Sequence, residues 1–370
     1  MNSRMKRILI LQFLGLLFFI FLSLPLRGQR LKPGFNKQEF LEMIYLSGRQ
    51  ADTVAYYRNI PSPQRFRIVY RSPLMGLDNR WDLAFSKDSV AAISIRGTTR
   101  TNTSWLENFY AAMVPATGSI TLSKDFTFKY QLAQNPQAAV HVGWLLGMAA
   151  ISRDVVAKID SCARLGIHNF IIVGHSQGGA MAYLLTSYVH QLQQQGIIAK
   201  RLQFKTYCIA APKPGNLYYA YDFEAATAFG WAFNIVNTAD WVPETPVSIQ
   251  TLQDFNPNNP FQQAPALIKK QKFPQNLVLR CGFNRLNKPT QKARRINQKY
   301  LGTLAGKFVK KQLPEFVPPV YFPSANYMRT GTFIILQADE EYFKVYPPTG
   351  ENVFLHHLLG PYLYLTRKLP

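Results

Sequence analysis

The stretch IIVGHSQGGAMAYLLT, residues 171–186, decides the fold. Asn169-Phe170-Ile171-Ile172-Val173 is a short apolar run rich in β-branched residues, and it reads as a fully buried strand. Gly174 follows, then His175-Ser176-Gln177-Gly178-Gly179. From Ala180 the pattern turns helical, with Ala180, Met181, Ala182, Leu184 and Leu185 ahead of Tyr188 and Val189. Strand, sharp turn, helix is the setting in which a G-x-S-x-G turn exposes a serine. Gly174 and Gly178 flank Ser176 because a Cβ at either place clashes with the neighbouring chain. The new helix aims its N-terminus at the hydroxyl. On this reading Ser176 is a nucleophile; the competing reading is a chance pentapeptide.

The chain has 370 residues, enough for one large or two ordinary domains, and 47% of them are hydrophobic. Arg4, Lys6 and Arg7 precede an apolar run from Ile8 to Leu24, broken by Gln12, Gly15 and Ser23. A basic segment followed by an apolar one reads as a secretory signal over residues 1–28, cleaved after Ser23 or Gly28. The alternative is an uncleaved membrane anchor, for which 17 apolar residues sit at the lower spanning limit. No cysteine lies nearby, which disfavours a lipoprotein anchor. Residues 29–370 then read as one catalytic domain, exported to the medium, the periplasm or the cell envelope. The three cysteines, Cys162, Cys208 and Cys281, are an odd number and are expected as buried thiols. No C-x-x-C and no His/Cys cluster points to a metal.

The net charge of +22 is uneven: between Phe255 and Pro314 there are 13 Lys or Arg and no Asp or Glu. Such a segment meets nucleic acid, anionic lipid or only solvent. Export disfavours nucleic acid, which leaves a solvated face or an anionic membrane or lipid-aggregate surface.

Along the chain, Lys37 to Leu46 reads as an amphipathic helix and Asn59 to Pro73 as irregular. Arg80 to Ser86 and Ser89 to Ile95, separated by Lys87-Asp88, suggest a hairpin. Ser104 to Met113 reads as a short helix and Gly143 to Leu165 as a longer one. Phe204 to Ala211, Trp231 to Val236 and Thr332 to Gln337 read as strands, and Asn352 to Arg367 closes the chain. Strands separated by helices imply a largely parallel sheet. About 254–326 is a basic insertion of weak periodicity.

A serine hydroxyl needs an adjacent base, usually histidine, and an acid to orient that base. Six histidines allow elimination. His141 precedes Ser176 by a long helix, and His168 lies at the far end of the strand. His175 adjoins Ser176 in the turn and its side chain diverges from it. His190 lies 14 residues down the helix, about 20 Å away. That leaves His356 and His357, both after the last strand. The acid belongs between serine and histidine. Asp240 ends the strand Phe233–Val236, and Pro243 and Pro246 then keep the chain irregular. Asp222, Asp254, Asp339 and Glu244 are rivals at less clear positions. Of the two oxyanion donors required, the backbone N–H of Gln177 is one, and Thr98 after Arg96-Gly97 offers N–H and hydroxyl for the other.

Together these segments resemble the fungal-type triacylglycerol lipase family, lipase class 3. ISIRGT (93–98) is similar to that family's oxyanion segment, and SWLENF (104–109) to the tryptophan-bearing stretch after it. Val140-His141-Val142-Gly143-Trp144 resembles its V-H-x-G-aromatic motif. GHSQGGAMA (174–182) resembles the nucleophile elbow, with Gln177 where leucine is usual. TYCIAAPKPGN (206–216) and NTADWVPETP (237–246) resemble the T-F-G-x-P-x-x-G-N and N-x-x-D-x-V-P-x-x-P segments. The resemblance implies an α/β-hydrolase fold: a mostly parallel sheet flanked by helices, here with a basic insertion before the histidine. It implies a serine hydrolase acting on lipid esters through a triad of Ser176, Asp240 and His357, the alternatives being a non-lipid serine esterase and a non-enzymatic lipid- or envelope-binding protein on a hydrolase fold. His357 with Tyr362 fits the longer form of the family's His–Tyr spacing, and His356 remains the alternative. It makes His141 structural and requires no cofactor or metal. It also implies a lid over about Thr99 to Met113, with Trp105, Leu106, Phe109, Tyr110 and Met113 as its apolar, substrate-facing side; periodicity alone fits a core helix equally well.

Overall fold

In the computed structural model, which describes residues 31–50, 58–348 and 350–370, seven strands lie side by side in chain order. They are β1 (Phe66–Arg71), β2 (Trp81–Ser86), β3 (Val90–Ile95), β4 (Asn169–His175), β5 (Gln203–Ile209), β6 (Ala232–Asn237) and β7 (Thr332–Leu336). β1 to β3 are joined as antiparallel neighbours, and every later neighbour is parallel. The helices are α1 (Lys37–Gly48), α2 (Asn102–Phe109), α3 (Val142–Arg164), α4 (Gln177–Gln194), α5 (Leu217–Ala226), α6 (Pro260–Lys269), α7 (Gln275–Asn297), α8 (Ala305–Gln312), α9 (Glu340–Val345) and α10 (Leu359–Lys368). This is the α/β-hydrolase type of architecture, a mostly parallel sheet between helical layers. The expected signal over 1–28 lies outside the described residues.

Parallel strands buried on both faces carry unbroken apolar runs. Along β4 successive side chains go to opposite faces: Phe170 and Ile172 join the core under α3 and α4, while Ile171 and Val173 join the core under α1 and α10. β3 splits the same way, with Ile93 and Ile95 on the first face and Val90 and Ala92 on the second. Asn36 caps α1 by accepting from the Glu39 N–H at 2.8 Å. A buried ion pair then fixes α1 to the sheet. Lys205 on β5 meets Glu39 at 2.7 Å, and Tyr207 donates to the same carboxylate oxygen at 2.6 Å.

Four readings change. Asn59 to Pro73 contains edge strand β1, whose Arg71 pairs with Asp82 of β2 at 2.8 Å. An edge strand half open to water carries arginines instead of an apolar run, so periodicity misses it. No strand is expected between Met113 and Gly143, yet a hairpin pairs Thr117–Ser123 with Phe126–Gln131. A small four-stranded sheet also gathers Met113–Pro115, Ala139–His141, Gly215–Asn216 and Tyr327–Met328. The basic insertion is helical, through α6, α7, a π-helical turn at Gln298–Leu304 and α8. Cys162 and Cys208 are buried, whereas Cys281 on α7 is exposed, because that helix buries no residue.

Removing one partner of a buried ion pair leaves the other charge uncompensated. Lys205→Met should therefore lower unfolding free energy by about 3 kcal/mol or more. Adding Glu39→Gln should recover part of the loss in the same denaturant titration.

Candidate active site

The turn after β4 is built by backbone contact. Ser176 sits at φ 60°, ψ −129°, a conformation that non-glycine residues rarely adopt. A Cβ on Gly174 would lie 2.1 Å from the Gly178 carbonyl oxygen, and one on Gly178 would lie 2.3 Å from that of Ile95. A Cβ on Gly97 would lie 2.6 Å from the His175 carbonyl oxygen. The Ser176 N–H donates to Ile209 at 2.9 Å, which ties the turn to the end of β5. The half-buried hydroxyl is thus held at the C-terminal edge of the sheet, ahead of the first N–H groups of α4.

Asp240 follows β6, and its N–H donates to Asn237 at 3.0 Å. His357 closes a 3₁₀ turn, Leu355–His357, immediately before α10. Both side chains are buried. His357 Nδ1 lies 2.8 Å from Asp240 Oδ2, and Nε2 lies 2.8 Å from Ser176 Oγ. An ionised carboxylate only accepts, so Nδ1 carries the proton and Nε2 accepts from the serine hydroxyl. Asp240 is held on both oxygens: Tyr362 O–H donates to Oδ2 at 2.8 Å, and Val242 N–H to Oδ1 at 3.0 Å. Three residues named from widely separated segments are therefore in line.

The two adjacent histidines separate completely. His356 turns away from Ser176 and bonds Tyr342 Oη through Nδ1 at 2.7 Å. Asn237, fully buried, donates to the His356 carbonyl at 3.1 Å and to Tyr342 Oη at 2.9 Å, while its N–H donates to Tyr362 Oη at 3.1 Å. His175 Nε2 lies 2.7 Å from the carbonyl of His357, so His175 braces the base from behind. Burial first, then the adjacent His357, pushes His175 down to about 3, which keeps it neutral beside that ring. His141 caps α3 by accepting from Trp144 N–H at 3.2 Å and stacks on the Trp144 ring.

Thr98 and Gln177 meet directly. Thr98 Oγ1 donates to Gln177 Oε1 at 2.8 Å and accepts from Asn108 Nδ2 at 2.9 Å. Trp144 Nε1 in turn donates to Asn108 Oδ1 at 3.0 Å. Beneath this network lies Glu107, fully buried, accepting from Asn79 Nδ2 at 2.8 Å. Burial pushes its carboxyl up to about 8, against the pull of the Asn79 and Gln177 amides.

The expected apolar side of the 99–113 segment divides. Trp105 stacks on Phe109 with ring centroids 6.0 Å apart and meets Phe354 at 5.9 Å, and Phe354 stands 6.2 Å from the His357 ring. Leu106 packs partly on the core. Tyr110 and Met113 do not face the site. Both are fully buried, Tyr110 bonding Tyr321 Oη and Met113 lying in the small sheet, because the chain leaves α2 at Phe109 and turns inward. Asn237, Glu107 and Asn108 play no part in the sequence reading. The asparagine at the head of NTADWVPETP and the residue pair inside SWLENF are the signals nearest to them.

Residues 92–249 match the family model described as Lipase (class 3). Similar solved structures include a fungal lipase in complex with an inhibitor, 19% identical over 57% of this chain and 74% of that chain, TM-score 0.43. A second is the Rhizomucor miehei lipase propeptide complex, 20% identical over 59% of this chain and 68% of that chain, TM-score 0.40. A third is a triacylglycerol lipase from Penicillium expansum, 18% identical over 57% and 75%, TM-score 0.41. No curated protein matches the chain.

Glu107 carries a pH signature. The unfolded chain ionises it near 4.5, the folded chain only near 8. Between those values the unfolded state binds fewer protons, so stability falls as pH rises through the window. Glu107→Gln, which keeps the shape of the neutral acid, should abolish that fall. Relative to the parent chain it should gain on the order of 3 kcal/mol between pH 4.5 and pH 8 in denaturant titrations.

Proposed function

We propose, on the premise that residues 92–249 are a lipase class 3 segment, that this chain is a serine hydrolase cleaving carboxylic esters of lipids through an acyl-serine intermediate. The observation that carries the reading is the relay Ser176–His357–Asp240, with both contacts at 2.8 Å, mounted on the strained turn at Ser176. Ser176 Oγ attacks the ester carbonyl carbon while His357 Nε2 takes its proton. Asp240, steadied by Tyr362 and the Val242 N–H, stabilises the imidazolium and holds the ring in the required tautomer. The carbonyl oxygen, now negative, is met by donors at Thr98 and Gln177, each worth about 3 kcal/mol. His357 returns the proton to the departing alcohol. Water, deprotonated by the same imidazole, then attacks the acyl-serine, and the acid is freed as His357 returns that proton to Ser176 Oγ.

The lipid character of the substrate is supported by the family and by the aromatic wall of Trp105, Phe109, Phe354 and Trp241. It stands beside His357 and is partly open to solvent. A mobile acyl chain gains from such a wall by apolar burial. Export is part of the proposal and is supported by the basic and apolar segments within residues 1–28.

The test is a set of point variants on p-nitrophenyl esters of increasing acyl length. Ser176→Ala and His357→Ala should each lose about 10⁴-fold or more in kcat. His356→Ala should keep turnover of the same order as the parent. A fluorophosphonate probe should label the parent chain and leave Ser176→Ala unlabelled. Undiminished hydrolysis by Ser176→Ala would falsify the assignment, and a flat or falling response to acyl length would exclude the lipid substrate.

A further inference from the structure

We propose that α6 and α7, residues 260–297, form an arm that docks on anionic lipid bilayers. The proposal deepens the preceding reading by naming the surface on which that site works, and rests on it for the effect at the site alone.

The arm is basic and uncovered. Nine of the 13 Lys and Arg between Phe255 and Pro314 lie within residues 260–297, without one acidic residue among them. Neither α6 nor α7 buries a single residue. A helix that is merely solvated packs its apolar stripe on the protein beneath. Here the stripe stays in water: Val278 is 69% exposed and Leu286 78%, as is Phe273, at 79%, in the connection before α7.

Apart from Leu277, which shares a bearing with Arg295, the apolar side chains of α7 gather on one side, with Arg285 at its edge. At about 100° per residue, Leu279 and Leu286 point within about 20° of each other, and Val278 shares a bearing with Ile296. Lys288 and Arg295 fall on the opposite side, with Arg280 and Lys292 on the flanks. An apolar stripe bordered by cations suits a bilayer interface. The stripe enters the acyl boundary while lysines and arginines reach lipid phosphates. Nucleic acid matches the charge but offers the duplex backbone nothing to receive the stripe.

The arm is rooted beside the site. The Ala112 N–H donates to the Leu301 carbonyl at 3.1 Å, and a Cβ on Gly302 would lie 2.8 Å from Ala112 Cβ. Tyr110 and Tyr321 share a hydrogen bond at 3.0 Å, and α8 packs on α2. The segment that bears Trp105 and Phe109 thus sits against the base of the arm. Docking presents that helix to the lipid surface.

The experiment measures sedimentation of the full chain carrying Ser176→Ala, which spares the vesicles. Vesicles are pure phosphatidylcholine or phosphatidylcholine with about a third phosphatidylglycerol. Binding should be about tenfold or more stronger on the anionic vesicles and should weaken with salt. Arg280→Gln, Lys288→Gln, Lys292→Gln and Arg295→Gln together should cut that preference about tenfold or more. Leu279→Ser with Leu286→Ser should weaken binding to anionic vesicles by about tenfold or more. In the Ser176 background both sets should turn over a water-soluble p-nitrophenyl ester at the parent rate. Equal binding to both vesicle types, or binding that survives either set of changes, overturns the proposal. Duplex DNA bound as tightly as the vesicles, and unaffected by the leucine changes, overturns it in favour of a nucleic-acid surface. Loss of soluble-ester turnover by the parent chain counts instead against the hydrolase reading, and vesicle binding is scored independently of it.

Discussion

Three stretches of backbone meet at Ser176 with no side chain between them, and the rest of the site depends on that contact. The ends of β3 and β4 and the first turn of α4 come together at Gly97, Gly174 and Gly178, where any Cβ would penetrate a carbonyl oxygen. Holding a non-glycine residue at positive φ costs of order 1–3 kcal/mol, and only a surrounding frame that over-determines the turn sustains it. The frame here is the sheet itself, through the Ser176 N–H on β5 and the buried runs of β3 and β4. The place of the Ser176 backbone, from which the hydroxyl extends, is consequently set by main chain.

The remaining partners reach this fixed point from the other face of the sheet. α10 packs on the side shared with α1, and from it Tyr362 extends to Asp240. Asn237, at the last position of β6, holds Tyr362, Tyr342 and the main chain of His356 together. One buried amide therefore aligns the acid-bearing loop with the histidine-bearing turn. That arrangement also separates two neighbouring imidazoles, one toward the serine and one into a tyrosine cluster.

The buried strands and the Ser176 turn were legible because burial on both faces leaves an unbroken apolar run, and because glycines mark close backbone approach. Elimination reduced the histidines to an adjacent pair but could not choose within it. A 3₁₀ turn makes that choice, and nothing local in LHH encodes its rotation. The family resemblance places Tyr110 and Met113 on the substrate-facing side of a lid, and helical spacing, which fits a core helix equally well, does not reveal where the helix stops. The helix ends at Phe109 and the next residues go inward. β1 was hidden by its arginines, and the insertion helices by polar residues and internal prolines, Pro265 and Pro289. The network of Glu107, Asn79 and Asn108 has no sequence period at all. It exists only once β2, α2 and α3 are packed.

Thr98 is short of protons to donate. Its hydroxyl has a single hydrogen, and Gln177 already accepts it, while Asn108 occupies a lone pair. As arranged, this side chain has no hydrogen left for an incoming oxygen. Under the chemistry proposed above, the negative oxygen is met by peptide amides at positions 98 and 177, supplied by the polypeptide backbone whatever side chains stand there. Position 177 thus contributes its amide, while its side chain serves a second task, tethering Thr98 through Oε1.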